Sequence, residues 1–276
     1  MKTRSLILIL LLAIFLPFTA MSEKTETNQK DSKKTEPTQE KKSEAKPLDL
    51  DQILAKYYAA IGGLEKWQKL NTMVMEGTMN SQGTSMPIVA YHERPNKCRV
   101  EFTVKDTMMA QIFGGSFAWQ INPLSGNPEP APMTKGKTNY MRDTCGIESS
   151  LLDHKNKGNT VKLLGEEEIK GKKAYKISVK YKSGNLETYY IDAKTFLLNK
   201  TVGIYNMDGN EIRTTTNFSQ YKDTNGYVVP YYLVIEIHGA PGDEILKIDK
   251  FAFNTKIDSN IFEFPRDKIM DAQKKE

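Results

Sequence analysis

Residues 212–237 read Ile212-Arg-Thr-Thr-Thr-Asn-Phe-Ser-Gln-Tyr-Lys-Asp-Thr-Asn-Gly-Tyr-Val-Val-Pro-Tyr-Tyr-Leu-Val-Ile-Glu-Ile237, two alternating runs hinged on Asn225-Gly226. Ile212, Thr214, Thr216 and Phe218 share one parity before the hinge; Tyr231, Leu233, Ile235 and Ile237 share one after it. A period of two is the repeat of a strand buried on one face, and Asn-Gly suits a tight hairpin turn. Toward the N-terminus, Tyr175, Ile177, Val179 and Tyr181 alternate with Lys176, Ser178, Lys180 and Lys182, a strand wet on one side. Turn signals at Gly171, Ser183-Gly184-Asn185, Asp208-Gly209 and 239–242 separate such runs at hairpin spacing, so the second half reads as an antiparallel meander. Farther upstream, Met73, Met75, Gly77 and Met79 fall on one face of a strand, with Glu76, Thr78 and Asn80 on the other.

Helices flank and interrupt these strands. Ile53, Leu54, Tyr57, Tyr58 and Ile61 recur at helical spacing behind Asp49 or Asp51, either of which can cap the first turn, and Gly62-Gly63 ends the helix. Leu64, Trp67 and Leu70 mark a short second helix. The stretch Asn127-Pro-Glu-Pro-Ala-Pro132 is expected to be an extended loop, because proline cannot donate to a ladder and restrains its predecessor. A helix over about 139–155 is predicted next, on the weak 3.6 period of Met141, Cys145, Ile147, Leu151 and Leu152, interrupted by Gly146.

The formal charge of +5 on 276 residues hides unlike segments. Residues 1–22 carry Lys2 and Arg4 ahead of an apolar run from Leu6 to Phe15, too short to span a bilayer and flanked as an export signal. Ala20-Met21-Ser22 fits a small-x-small cleavage site, placed after Ser22, with no nearby Cys for a lipid anchor. Residues 23–47 hold seven Lys against six acids and almost nothing apolar, and are expected to form a disordered charged linker. Residues 266–276 read as a flexible charged tail. What remains, 48–265, is nearly neutral and long enough for one domain with a sizeable core. A near-neutral domain lacks the basic face that displaces counterions from phosphate, which argues against nucleic-acid binding.

Catalytic and metal-binding patterns are sparse. His92, His154 and His238 lie in different segments without an i, i+4 partner, and His92-Glu93 does not continue as H-E-x-x-H. Gly62-Gly63 and Gly114-Gly115 lack the Lys-Ser/Thr of a phosphate loop, and Ser116 and Ser149 sit in no nucleophile elbow. Glu166-Glu167-Glu168 precedes a glycine turn and reads as a solvated face. The expectation is a protein without catalysis, cofactor or metal. Methionine is unevenly spent: of nine between 48 and 265, eight lie from Met73 to Met141. Flexible, polarizable side chains suit an apolar site of variable shape, though the same residues serve equally as core filler. Cys98 and Cys145 either pair across an oxidising compartment or remain two buried thiols; spacing does not decide.

The stretch Tyr91-His-Glu-Arg-Pro-Asn-Lys-Cys-Arg-Val-Glu101, followed by Gly114-Gly-Ser-Phe-Ala-Trp-Gln-Ile-Asn-Pro123, resembles the outer-membrane lipoprotein carrier and receptor family (LolA/LolB-like). That family runs an R-P-N-x-x-R-like strand into a G-x-x-x-W-x-x-x-P hairpin. Later segments agree in order: Tyr189–Leu198, Asp223–Pro230, Lys247-Ile-Asp-Lys-Phe251 and Ile257–Phe262, while Ile61-Gly-Gly-Leu-Glu-Lys-Trp-Gln-Lys-Leu70 resembles a variant among exported lipoprotein-sorting-like proteins. The resemblance covers most of 50–265. It implies an α+β fold: a strongly curved antiparallel sheet forming an unclosed half-barrel, with helices over its open side and an apolar cavity between. The cavity would hold a lipid or lipoprotein acyl chain against Met73, Met75, Met79, Met86, Met108, Met109, Ile112 and Trp119. The 139–155 helix would be part of a lid, and Arg94, at the family's R-P pair, would bond to lid backbone and favour the closed, ligand-free state. The partners implied are that acyl chain and an envelope donor or acceptor protein, met by a periplasmic monomer. The long charged linker and the missing anchoring Cys depart from the family's carrier and receptor respectively. The same fold also serves as a protein-interacting envelope-stress sensor, so a small or filled cavity would point that way.

Overall fold

A computed structural model describes residues 47–265; the expected signal peptide, nearly all of the charged linker and the tail lie outside them. The chain opens with α1 (Leu50–Ala60) and α2 (Leu64–Gln68). Asp49 caps α1: its Oδ1 accepts from Gln52 N at 2.9 Å, while Gln52 Oε1 accepts from Asp49 N at 3.1 Å, a reciprocal capping box. Gly62, at φ +106°, makes the turn into α2, where a Cβ would strike the Gly226 carbonyl. The first run of strands is β1 (Thr72–Ser81), β2 (Thr84–Glu93), β3 (Lys97–Val104), β4 (Thr107–Phe113), β5 (Ala118–Asn122) and β6 (Asn127–Pro132). After α3 (Lys135–Thr144) come β7 (Thr160–Ile169), β8 (Lys172–Lys180), β9 (Leu186–Asp192), β10 (Leu198–Met207), β11 (Asn210–Thr224), β12 (Tyr227–Ile237) and β13 (Glu244–Phe253).

All thirteen strands form one antiparallel sheet in the order β6-β5-β4-β3-β2-β1-β13-β12-β11-β10-β9-β8-β7. It is two meanders sewn together where β1 pairs with β13, with Met73 opposite Phe253 and Met79 opposite Leu246. A bulge at Glu76/Gly77 interrupts that seam, and a Cβ at Gly77 would collide with the Lys247 carbonyl. The sheet must curl, because α3 contacts β4, β5 and β10 together. In a flat sheet β4 and β10 would stand roughly 34 Å apart at about 4.8 Å per strand, whereas a ten-residue helix is about 15 Å long. The sheet is thus an unclosed barrel with helices on its inner side, as the family resemblance implied.

The segment 127–132 is an edge strand rather than a loop, pairing Pro132 with Trp119 and Ala131 with Gln120. An edge strand needs ladder donors on one side only, which accommodates Pro128, Pro130 and Pro132 and discourages further pairing. The middle helix is also displaced from 139–155. It starts at Lys135, capped by Thr134, and Asp208, on the β10–β11 turn, also anchors its N-terminus: Asp208 Oδ1 accepts from Gly136 N at 3.0 Å and Oδ2 from Thr134 Oγ1 at 2.5 Å. It ends at Thr144, and 145–159 is a series of bends and turns. Leu151 and Leu152 are fully buried, so their apolar spacing reflects core packing from a non-helical segment.

Cys98 of β3 and Cys145, at the C-cap of α3, form a disulfide with Cα atoms 5.8 Å apart. Closing a 47-residue separation is worth about 4 kcal/mol on the chain-entropy account. The largest core joins Ile53, Leu54 and Tyr57 of α1 to Ile177, Val179 and Ile191 of the sheet. On the opposite, outer face, the 3-10 turn Ser259–Phe262 closes over Ile112 and Trp119.

Candidate binding cavity

Between the inner face of the sheet and its helical cover lies a cavity of about 370 Å³. Its position follows from strand parity. Met73 and Met75 on β1 share a face with Ile248 and Phe251 on β13, and with Val229, Leu233 and Phe218 on β12 and β11. Tyr57 and Ile61 reach it from α1 and Trp67 from α2. Trp67 is fixed by donating its Nε1–H to the Ile61 carbonyl at 2.9 Å and by meeting Tyr227 edge-on at 5.1 Å.

The other end of the cavity is polar and is built around Glu187 and Asp143, which sequence reading did not single out. Glu187 on β9 accepts from Tyr181 Oη at 2.5 Å and from Tyr189 Oη at 2.8 Å, both on Oε2, and from the Thr201 hydroxyl. Tyr181 Oη is 2.9 Å from Ser150 Oγ, which ties this network to the 145–159 segment. Burial pushes the Glu187 carboxyl up from its ordinary value, against the lowering effect of those hydrogen bonds. Asp143 on α3 accepts from Asn185 Nδ2 at 2.7 Å and from Ser183 Oγ; burial raises its pKa too. His92 lines the wall with Nδ1 3.2 Å from the Cys145 carbonyl, and burial lowers its pKa. The only sequence signal for this cluster was the even spacing of Glu187 and Tyr189 on one strand, which shows parity but not which distant hydroxyls converge.

Arg94 spans the cover. Its Nε donates to the Leu70 carbonyl at 2.5 Å, Nη2 to the Trp67 carbonyl at 2.7 Å, and the guanidinium forks onto Glu148, with Nη2–Oε2 at 2.6 Å. Glu148 lines the cavity with its side chain 3% exposed, and Lys157 Nζ completes its pairing at 2.6 Å. The backbone that Arg94 bonds is that of α2 and its following turn rather than that of the expected 139–155 lid, which it reaches only through the Glu148 carboxylate.

Of the residues expected to line an acyl site, Met73 and Met75 are the two that line this cavity. Met79, Met86 and Met109 do not reach the cavity; they pack with Phe102 and Leu246 in an adjoining cluster on the same face, which shares Ile248 with the cavity wall. Met108 is 41% exposed, since neighbouring residues on a strand point oppositely and Met109 takes the inner side. Ile112 and Trp119 face outward beneath Phe262, whose carbonyl accepts from Trp119 Nε1 at 3.3 Å. A second, more open groove of about 550 Å³ runs along α1 between Tyr58 and Asp153, with no strand residue in its lining. Among the described residues, no group of three or more His, Cys, Asp or Glu could hold a metal ion, and no helix is long and apolar enough to cross a membrane.

A family model described only as "Uncharacterized protein" matches residues 140–265. No curated protein matches the sequence significantly. Among solved structures, a LolA superfamily protein from Nitrosomonas europaea superposes with a TM-score of 0.54 at 12% identity, over 79% of this chain and 98% of that one. A domain from Vibrio parahaemolyticus assigned to outer membrane lipoprotein sorting gives 0.52 at 13% identity, covering 76% of this chain and 94% of that one. A DUF1329 family protein from Desulfovibrio piger gives 0.52 at 13% identity, covering 76% and 97%. Likeness at such identities is likeness of architecture, and by architecture this chain has the LolA-like fold.

Proposed function

We propose that the protein binds a lipid or lipoprotein acyl chain in the cavity between sheet and helices, as an exported, periplasmic carrier or sensor that breaks no bond in its ligand. The observation that carries this reading is the wall of Met73, Met75, Phe218, Leu233 and Phe251 around unfilled space. Each methylene transferred there from water is worth about 0.8 kcal/mol, so even part of an acyl chain repays entry. A volume of about 370 Å³ lies within the range of small-molecule sites, at its lower end. The Cys98–Cys145 bridge fits an oxidising compartment, and the Vibrio neighbour's assignment points the same way. A non-catalytic role is supported by Glu187 and Asp143, whose oxygens are engaged by hydroxyls and an amide of their own fold rather than by a nucleophile–base pair.

A second reading, a protein-interaction module, draws on Phe117 and Leu124, which stand 40% and 48% exposed around β5. Titration with a fluorescent fatty-acyl probe separates the two. Met75→Glu places a charge in the wall and is expected to weaken probe binding about tenfold or more while the fold survives. Equal binding by Met75→Glu and the parent protein would remove this cavity from the site.

A further inference from the structure

We propose that the polar end of this cavity selects against anionic lipid heads and takes uncharged, hydrogen-bond-donating or cationic ones; the inference rests on the acyl-binding reading. The cavity receives three carboxylates, from Asp143, Glu148 and Glu187, and hydroxyls from Ser149, Ser150 and Thr201. Among the described residues no Lys or Arg lines it. Of the cations close by, Arg94 and Lys157 are both spent on Glu148, each at 2.6 Å, and Arg142, whose charge favours the ionised form of Asp143, donates to Asn139 Oδ1 on the exposed side of α3. His92 does not supply the missing charge: its Nδ1 is tied to the Cys145 carbonyl at 3.2 Å, and burial favours its neutral form.

The consequence is independent of how many of the carboxyls carry a proton. An anionic head entering here leaves water without a cation to meet it, and any ionised carboxylate adds repulsion. A hydroxyl or amide head finds acceptors, because a carboxylate offers about four lone-pair positions and Glu187 has three donors. An ammonium head finds acceptors, and opposite charge as well wherever a carboxylate is ionised. The apolar wall of Met73, Met75 and Phe251 takes the chain in every case, so the head alone decides between ligands of equal length.

The test is displacement of the fluorescent acyl probe, at neutral pH, by dodecanol, dodecylamine and dodecanoate in turn. Dodecanol and dodecylamine are expected to compete at concentrations about tenfold lower than dodecanoate or better, since an unpaired charge costs several kcal/mol to desolvate. In Glu187→Gln the gap should narrow by improved dodecanoate binding, a gain that a merely damaged protein would not show. Bound probe displaced equally by all three, or most readily by dodecanoate, overturns the selectivity and leaves the acyl site standing. Failure of the parent protein to bind the probe overturns the acyl reading itself, and the selectivity with it.

Discussion

Glu244, on the inner face of β13, accepts from Ser81 Oγ at 3.3 Å, and burial pushes its carboxyl up to about 7 from an ordinary 4.5. The folded protein thus holds this proton over an interval where the unfolded chain has released it. The stability that Glu244 contributes is full below about pH 4.5 and is lost as pH rises through about 7. His92 acts in the opposite sense: its pKa is lowered by burial, so the stability it contributes is lost as pH falls below its unfolded value. Glu244→Gln is expected to flatten the alkaline limb and stabilise the protein above pH 7 by on the order of 2 kcal/mol, read from denaturant midpoints across pH. An unchanged limb would mean that water reaches the carboxylate. Single residues were also where the sequence was least legible. The parity of β1 correctly put Met73 and Met75 on one face, but nothing in the sequence distinguishes a methionine facing empty space from Met79 or Met109 facing another side chain. Met108 and Met109 are adjacent, so strand geometry alone forbade both from facing inward.

At the scale of elements, the strands announced themselves because each buries one face, and turns such as Asn225-Gly226 fixed their ends. The departures have tertiary causes. Three prolines made 127–132 look like a loop, yet an edge position makes them compatible with a strand. Thr134 caps α3 locally, and Asp208, 72 residues from Gly136, adds a bond to that first turn which no local pattern reports. The Cys98–Cys145 bridge, equally a long-range choice, pins the other end of α3 to β3. Between that bridge and Lys157, Arg94 holds the 145–159 segment against α2 through Glu148. Arg94→Leu removes the clasp but leaves Lys157 on Glu148, so the fold should persist with a loss of about 2 kcal/mol. If the clasp favours the empty state, dissociation of bound acyl probe from this variant will be slower than from the parent. Dissociation at the parent's rate would leave Arg94 with a purely structural role.

For the whole molecule, the two meanders and their β1–β13 seam produce an inner surface larger than the helices fill, and the unfilled part is the cavity. The family motifs around Arg94 and Trp119 pointed to this architecture, whereas the polar cluster at its far end is assembled from the β8–β9 turn, β9, β10, α3 and the 145–159 segment and is visible only once the sheet has curled. We propose that this space holds an acyl chain. The most direct test is native mass spectrometry, with organic extraction, of the mature protein purified without detergent from an exporting host. Our account predicts a lipid or acylated peptide retained at up to one per chain, and released by Met75→Glu. Folded protein that is empty as purified, and remains empty after incubation with acyl lipid, would contradict it.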